Sequence, residues 1–109
     1  MTFDEYQKLS KSTAQYSEFV PPWVYLALGL AGESGEVVDK LKKVVRNNNG
    51  TFSDEAKIEL QKELGDVLWY VSQLCEELGF SMDEVARINR AKLVDRKERN
   101  VIQSRGDNR

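Results

Sequence analysis

The chain has 109 residues, a net charge of −2 and no large basic block, which excludes nucleic acid as its main partner because phosphate neutralisation needs clustered Lys and Arg. Its 40% apolar and 31% charged content predicts one folded domain rather than a disordered chain, with no signal peptide, no membrane-spanning run and no membrane partner. The single cysteine, Cys75, excludes an internal disulfide and fits a reducing, cytoplasmic setting, and the absence of histidine removes His-built zinc sites, Glu-x-x-His di-iron sites and Ser–His or Cys–His catalysis.

In chain order, "TFDE" reads as a capping box, Thr2 to Glu5, that opens a first helix from Phe3 to about Phe19. Pro21 and Pro22 end it, and a second helix runs from Trp23 to about Arg46. "NNNG", Asn47 to Gly50, is a loop by composition. Ser53 is the N-cap of a third helix, with Asp54 and Glu55 in its first turn; it runs to Leu78, and Gly79 stops it. "SMDE", Ser81 to Glu84, is a second capping box and opens a fourth helix that reaches about Asn100. No strand pattern competes over a comparable length. The expected fold is all-α: a small bundle of about four helices spanning residues 1–100, then a polar tail over residues 101–109. A domain this small gains stability by assembling with copies of itself.

Acidic pairs three residues apart are weak evidence by themselves. The chain has four, Glu33/Glu36, Glu36/Asp39, Glu63/Asp66 and Asp95/Glu98, where chance gives about three. Position says more. At about 100° per residue, Leu26, Leu30, Glu33, Val37, Leu41 and Val44 share one face of the second helix, so Glu33 lies within the stripe that packs inward and Glu36 flanks it. On the third helix, Leu60, Leu64, Val67, Val71, Leu74 and Leu78 form the apolar stripe, with Glu63, Asp66 and Tyr70 along its margin. Asp95 and Glu98 sit among Arg96, Lys97 and Arg99 and read as a solvated face. Helices joined by a short loop pack antiparallel, which brings the first two pairs together. Carboxylates converging in a partly dry cleft repel one another, so either their pKa values rise or a cation holds them. An all-oxygen acidic set suits a hard divalent ion, Mg²⁺ or Mn²⁺ before Ca²⁺. The competing reading pairs these acids with surface lysines and gives a non-catalytic helical interaction module. Gly29, Gly32, Gly35 and Gly65 each cost about 1 kcal/mol against alanine inside a helix, which asks for close approach by a neighbouring helix or a ligand.

"ESGE", Glu33 to Glu36, followed by a lysine-rich helix end, a loop and "ELGD", Glu63 to Asp66, resembles the MazG family of nucleotide pyrophosphohydrolases within the all-α NTP pyrophosphatase superfamily. "NRAKLVDR" is similar to that family's N-x-x-K-x-x-x-R pattern at Asn89, Lys92 and Arg96. The resemblance implies a homodimer or homotetramer in which Glu33, Glu36, Glu63 and Asp66 carry Mg²⁺, with Mn²⁺ as second choice. It implies hydrolysis of a (d)NTP between the α and β phosphates to a (d)NMP and pyrophosphate, for control of the nucleotide pool. Within that expectation Glu36, on the stripe margin, takes the proton of the attacking water. Lys92 and Arg96 grip phosphates, Lys43 assists from the end of its helix, and Tyr70 and Asn89 border the base. The absence of histidine, and a lysine at position 43 where some members have an aromatic residue, leave the preferred base open. Trp69, opposite the apolar stripe, is expected to pack on the first helix or on a second subunit.

Overall fold

Thr2 opens the first helix as its sequence requires: its hydroxyl accepts from the Glu5 amide at 3.0 Å, and the Glu5 carboxylate accepts from the Thr2 amide at 3.2 Å. In the computed structural model, which describes residues 1–16 and 18–99, this helix, α1, covers only Phe3–Ser10, and a single 3₁₀ turn, Lys11–Thr13, follows it. The expectation of a helix to Phe19 is corrected here. Ser10, Ser12 and Thr13 each turn a hydroxyl back onto a carbonyl three or four residues earlier, and such local bonds compete with helix propagation.

The second helix, α2, is Pro22–Asn48. Pro22 holds the first turn, where its missing N–H costs nothing. The helix runs two residues past Arg46 into the expected loop and ends at Asn49, which adopts φ 52°. Asparagine tolerates this left-handed region better than most residues. The third helix, α3, is Asp54–Leu78. Ser53 accepts from the Ala56 amide at 3.1 Å, and Gly79 stops the helix at φ 77°. The fourth, α4, is Met82–Glu98. Ser81 caps it through the Glu84 amide, but Glu84 does not return the bond that a capping box requires; its carboxylate pairs with Arg87 instead. Asn100 and the tail at 101–109 lie outside the described residues.

The α2–α3 hairpin is the body of the fold. Gly29 lies against Tyr70, and Lys40 reaches Glu59 and Glu63, so residue numbers across the pair sum to nearly the same value. That constant sum is an antiparallel register. Leu26 and Val44 are the buried apolar residues of α2, with Leu30, Val37, Leu60, Val67, Val71 and Leu74 half-buried between the helices. Leu64 and Leu78, placed in the α3 stripe by periodicity, and Leu41 on α2 are exposed.

On its other side α3 buries Ser72, Gln73 and Cys75, because the N-terminal segment packs there. Tyr16 donates to Gln73 Oε1 at 2.8 Å, and the Trp69 indole donates to Thr13 Oγ1 at 2.9 Å. Trp69 therefore meets the turn after the first helix, one of the two surfaces expected for it. Gln7 ties this segment to the α3–α4 turn. Its amide nitrogen donates to Glu76 and to the Phe80 carbonyl, and its oxygen accepts from the Met82 amide at 2.7 Å. Asp4 accepts from Ser81 and the Asp83 amide, while Asp83 accepts from the Phe3 amide, so the N-termini of α1 and α4 cap each other. Gln7→Ala leaves the buried Met82 amide and the part-buried Phe80 carbonyl without this partner. It is expected to cost about 3 kcal/mol, read as a fall in the urea midpoint at unchanged slope; an unchanged midpoint contradicts the clamp.

α4 packs on α1 and makes at most marginal contact with α2. The result is open: the radius of gyration is 16.8 Å, against about 13 Å for a closed domain of similar length. No helix among the described residues is long and apolar enough to cross a membrane.

Candidate metal and nucleotide site

The antiparallel register sets Glu33 of α2 across from Glu63 and Asp66 of α3. One carboxylate oxygen from each of these three lies within 4.8 Å of the other two. Glu33 and Glu63 are half-buried between the helices, and Asp66 is exposed at the rim. Burial raises the Glu33 pKa above its ordinary value, and the neighbouring charges of Asp66, Glu63 and Glu36 raise it further. Glu36 thus acts on the cluster electrostatically while standing exposed outside the three-way set.

The donors fit a hard divalent cation. They are carboxylate oxygens from two rigid helices, close enough to share one ion, and their mutual repulsion is what an ion would relieve. No nitrogen or sulfur ligand joins them among the described residues.

Lys40 forms one border. Its ammonium lies 3.8 Å from Glu63 Oε1 and 3.7 Å from Glu59 Oε2. Lys43 is held by Asp39 at 2.8 Å, and Lys42 joins the same carboxylate at 3.1 Å; these hydrogen bonds, Lys43 first, lower the Asp39 pKa. Lys40 and Lys43 also line a cavity of about 210 Å³ between the end of α2 and the start of α3, together with Asn47, Asn48 and Glu59. On the opposite border Tyr70 lies with its ring over Gly29. A Cβ at Gly29 would fall 2.1 Å from the ring, so this glycine is the close approach its helix penalty implies. The other three expected sites of close approach, Gly32, Gly35 and Gly65, face open space. Trp69 meets the Tyr70 ring edge-on at 5.0 Å. The Tyr70 hydroxyl is raised in pKa by burial, then by Tyr25, Glu33 and Asp66, so it is a neutral donor beside the acids. Tyr25 in turn lies 6.0 Å from Tyr16. Tyr25 and Lys40 were not legible as site residues from motif matching. The signal was present: on the α2 helical wheel, Tyr25, Glu36 and Lys43 share one ridge and Lys40 stands beside Glu33.

Asn89, Lys92 and Arg96 lie on α4. The structure does not bring this helix over the acids within one chain. Asn89 is exposed in a shallow groove with Arg90, Leu93 and Lys97, Lys92 is half-buried, and Arg96 is only 5% exposed. Arg99 pairs with Asp95 at 2.9 Å, as a solvated face predicts.

Residues 25–101 match the MazG nucleotide pyrophosphohydrolase domain. The chain belongs to that family. The match contains all of the acids above and α4, whereas α1 and Tyr16 precede it. The chain is also similar to the Gene 37 protein of Mycobacterium phage L5, 41% identical over 114 residues that cover all of both chains. No solved structure matches.

A pH dependence follows from Glu33. Its folded pKa is raised, so the folded chain holds this proton more tightly than the unfolded chain does. Stability then falls as pH rises through that pKa, and the penalty is fully present above it. Glu33→Gln removes this slope. In chelator, its melting temperature is expected to exceed that of the natural chain at pH 7 and the gap to close towards pH 4. A variant less stable at pH 7 would contradict the repulsion. Asp4 and Asp39, whose pKa values are lowered from 3.8, lose stability only at still lower pH and leave the window clear.

Proposed function

We propose that this chain hydrolyses a nucleoside triphosphate between its α and β phosphates, in a Mg²⁺-dependent reaction that gives a (d)NMP and pyrophosphate and serves nucleotide pool control. The observation that carries the reading is the set Glu33, Glu63 and Asp66, whose carboxylates converge from two helices within 4.8 Å inside a region matching a nucleotide pyrophosphohydrolase domain.

In this reading Glu33, Glu63 and Asp66 hold the cation, with Glu36 at its edge; Mg²⁺ is first and Mn²⁺ second by ligand chemistry. The cation supplies charge neutralisation between a polyphosphate and the acids, and makes a nearby water more acidic. Glu36 is exposed and stands outside the three-way set, which leaves it free to accept that water's proton as water adds and the α–β anhydride opens. Tyr70 donates its hydroxyl at the nucleoside end, and Lys43, at the other end of the cluster, meets the phosphates. Asn89, Lys92 and Arg96 serve substrate in this scheme from α4, which must then approach the acids from a second copy or by moving.

The second reading, a non-catalytic helical interaction module, draws on the Lys40–Glu63 and Lys40–Glu59 contacts and the pairing of Asp39 with Lys42 and Lys43, since there the acids satisfy one another's charge with lysines. A panel of common and modified (d)NTPs, each incubated with Mg²⁺, with Mn²⁺ and with chelator, separates the two. Loss of at least one triphosphate with metal and none with chelator is expected. No loss of any nucleotide with either metal leaves the interaction module standing.

A further inference from the structure

The family match begins at residue 25, yet residues before it reach towards the candidate site. Thr13 and Tyr16 dock on Trp69 and Gln73, which stand one turn apart on one face of α3. The Thr13 hydroxyl donates to the Ser10 carbonyl at 2.9 Å. That commits its proton and leaves its oxygen to accept from the Trp69 indole. Tyr16 donates to Gln73 Oε1, Gln73 Nε2 donates to Ser72 Oγ at 3.3 Å, and Ser72 donates to the Trp69 carbonyl at 2.7 Å. Ser72 and Gln73 are buried, at 0% and 1% exposure, so water does not compete for these bonds. One segment thus holds Trp69 by its indole and by its carbonyl.

Trp69 in turn holds Tyr70. The indole meets the phenol ring edge-on, at 5.0 Å and 85°, the geometry that aromatic quadrupoles favour. Gly29 is the floor under the ring. At the far end Tyr25 lies at the Tyr70 hydroxyl, and Tyr16 lies 6.0 Å from Tyr25. We propose that Thr13 and Tyr16 are positioning residues for Tyr70: through Trp69 they fix its ring, through Tyr25 its hydroxyl, and so they set how tightly the site holds the nucleoside part of a triphosphate. This rests on the reading above that Tyr70 stands at the nucleoside end. It adds that part of the substrate grip is built by a segment that precedes the family domain. Neither Thr13 nor Tyr16 touches substrate in this scheme. They act on a contact remote from the reacting bond, made alike in ground state and transition state, so their loss is read in KM and not in kcat.

Steady-state kinetics of the full chain with Mg²⁺ and a cleaved triphosphate make the test. Thr13→Val keeps the shape and removes the oxygen that the indole needs, and Tyr16→Phe removes the hydroxyl alone. Each is expected to raise KM about fivefold, the size of one hydrogen bond, with kcat within about twofold of the natural chain. Thr13→Ser, which keeps the oxygen, restores KM. Gln7→Ala loosens the same segment at its clamp to the α3–α4 turn and is expected to cost more stability with KM unchanged. Near-UV circular dichroism without nucleotide reads the Trp69–Tyr70 pair itself: Thr13→Val changes it, while Thr13→Ser and Gln7→Ala do not. Should Thr13→Val fail to fold, the KM of Tyr16→Phe decides alone. An unchanged KM in Thr13→Val and Tyr16→Phe, a KM raised equally by Gln7→Ala, or an unchanged dichroism in Thr13→Val overturns the inference and leaves the proposed reaction standing. A natural chain that cleaves no triphosphate overturns the reaction, and the inference with it.

Discussion

Glu63→Gln is expected to lower the proposed triphosphate turnover by about 10³-fold while leaving the helices intact. The expected size follows from what the substitution removes. Glu63 is one of three residues that each bring a carboxylate oxygen within 4.8 Å of the other two, and an amide oxygen is a weaker, uncharged ligand, so a cation there would be more loosely held. Losing one preorganised charge contact of this kind costs about 4 kcal/mol of transition-state stabilisation. The fold has little reason to object. Glu63 makes one long contact, to Lys40 at 3.8 Å, and Lys40 keeps Glu59 as a partner; removing a charge beside Glu33 also relieves repulsion. Steady-state kinetics with calorimetric Mg²⁺ titration and a melting curve check the pairing of effects. Turnover within a few-fold of the natural chain would remove Glu63 from the cation set. Lost turnover together with a collapsed melting temperature would make it a structural residue.

Gly29→Val is expected to destabilise the hairpin by about 2–3 kcal/mol, or about 10 °C in melting temperature. The Tyr70 ring occupies the space a side chain at 29 would need, with contact at 2.1 Å for the first added carbon. The ring cannot swing aside freely, because Trp69 meets it edge-on and Tyr25 lies at its hydroxyl. Gly35→Ala is the matched control. Nothing lies within 4 Å of the carbon it adds, so it should gain about 1 kcal/mol from helix propensity alone. Opposite signs at two glycines of one helix are the signature of a packing cause. If both changes stabilise, the Tyr70 contact is not a constraint. Displacing Tyr70 also moves a hydroxyl on which the charges of Glu33 and Asp66 act, so Gly29→Val should raise the KM of the proposed reaction along with the loss of stability.

The helices were largely legible from local chemistry. Ser53 and Gly79 fix the ends of α3 because a hydroxyl that caps and a glycine that accepts positive φ are one-residue signals. The end of α1 was not legible in the same way: Ser10, Ser12 and Thr13 are compatible with a helix, and only their bonds to earlier carbonyls show that they stop it. For the site, the register of one antiparallel pair was sufficient to bring Glu33, Glu63 and Asp66 together. What periodicity could not supply was the third dimension beyond that pair. Gln7 is sixty-nine residues from Glu76 in sequence and bonds to it directly. The direction of α4, on which the roles of Asn89, Lys92 and Arg96 depend, is set by such long-range clamps and not by any pattern within α4. Periodicity places Leu41 and Leu64 in the inward stripes, yet both stand exposed, because an apolar stripe is wider than the line along which two helices touch.

In the proposed reaction the acids of one hairpin support cleavage of a triphosphate at the α–β bond. Phosphorus NMR of the products formed from a hydrolysed (d)NTP with Mg²⁺ tests it most directly. Two new species in equal amounts are expected, a nucleoside monophosphate and pyrophosphate, and neither when Glu63→Gln replaces the natural chain. Inorganic phosphate with a nucleoside diphosphate, or products that persist unchanged in Glu63→Gln, would contradict it.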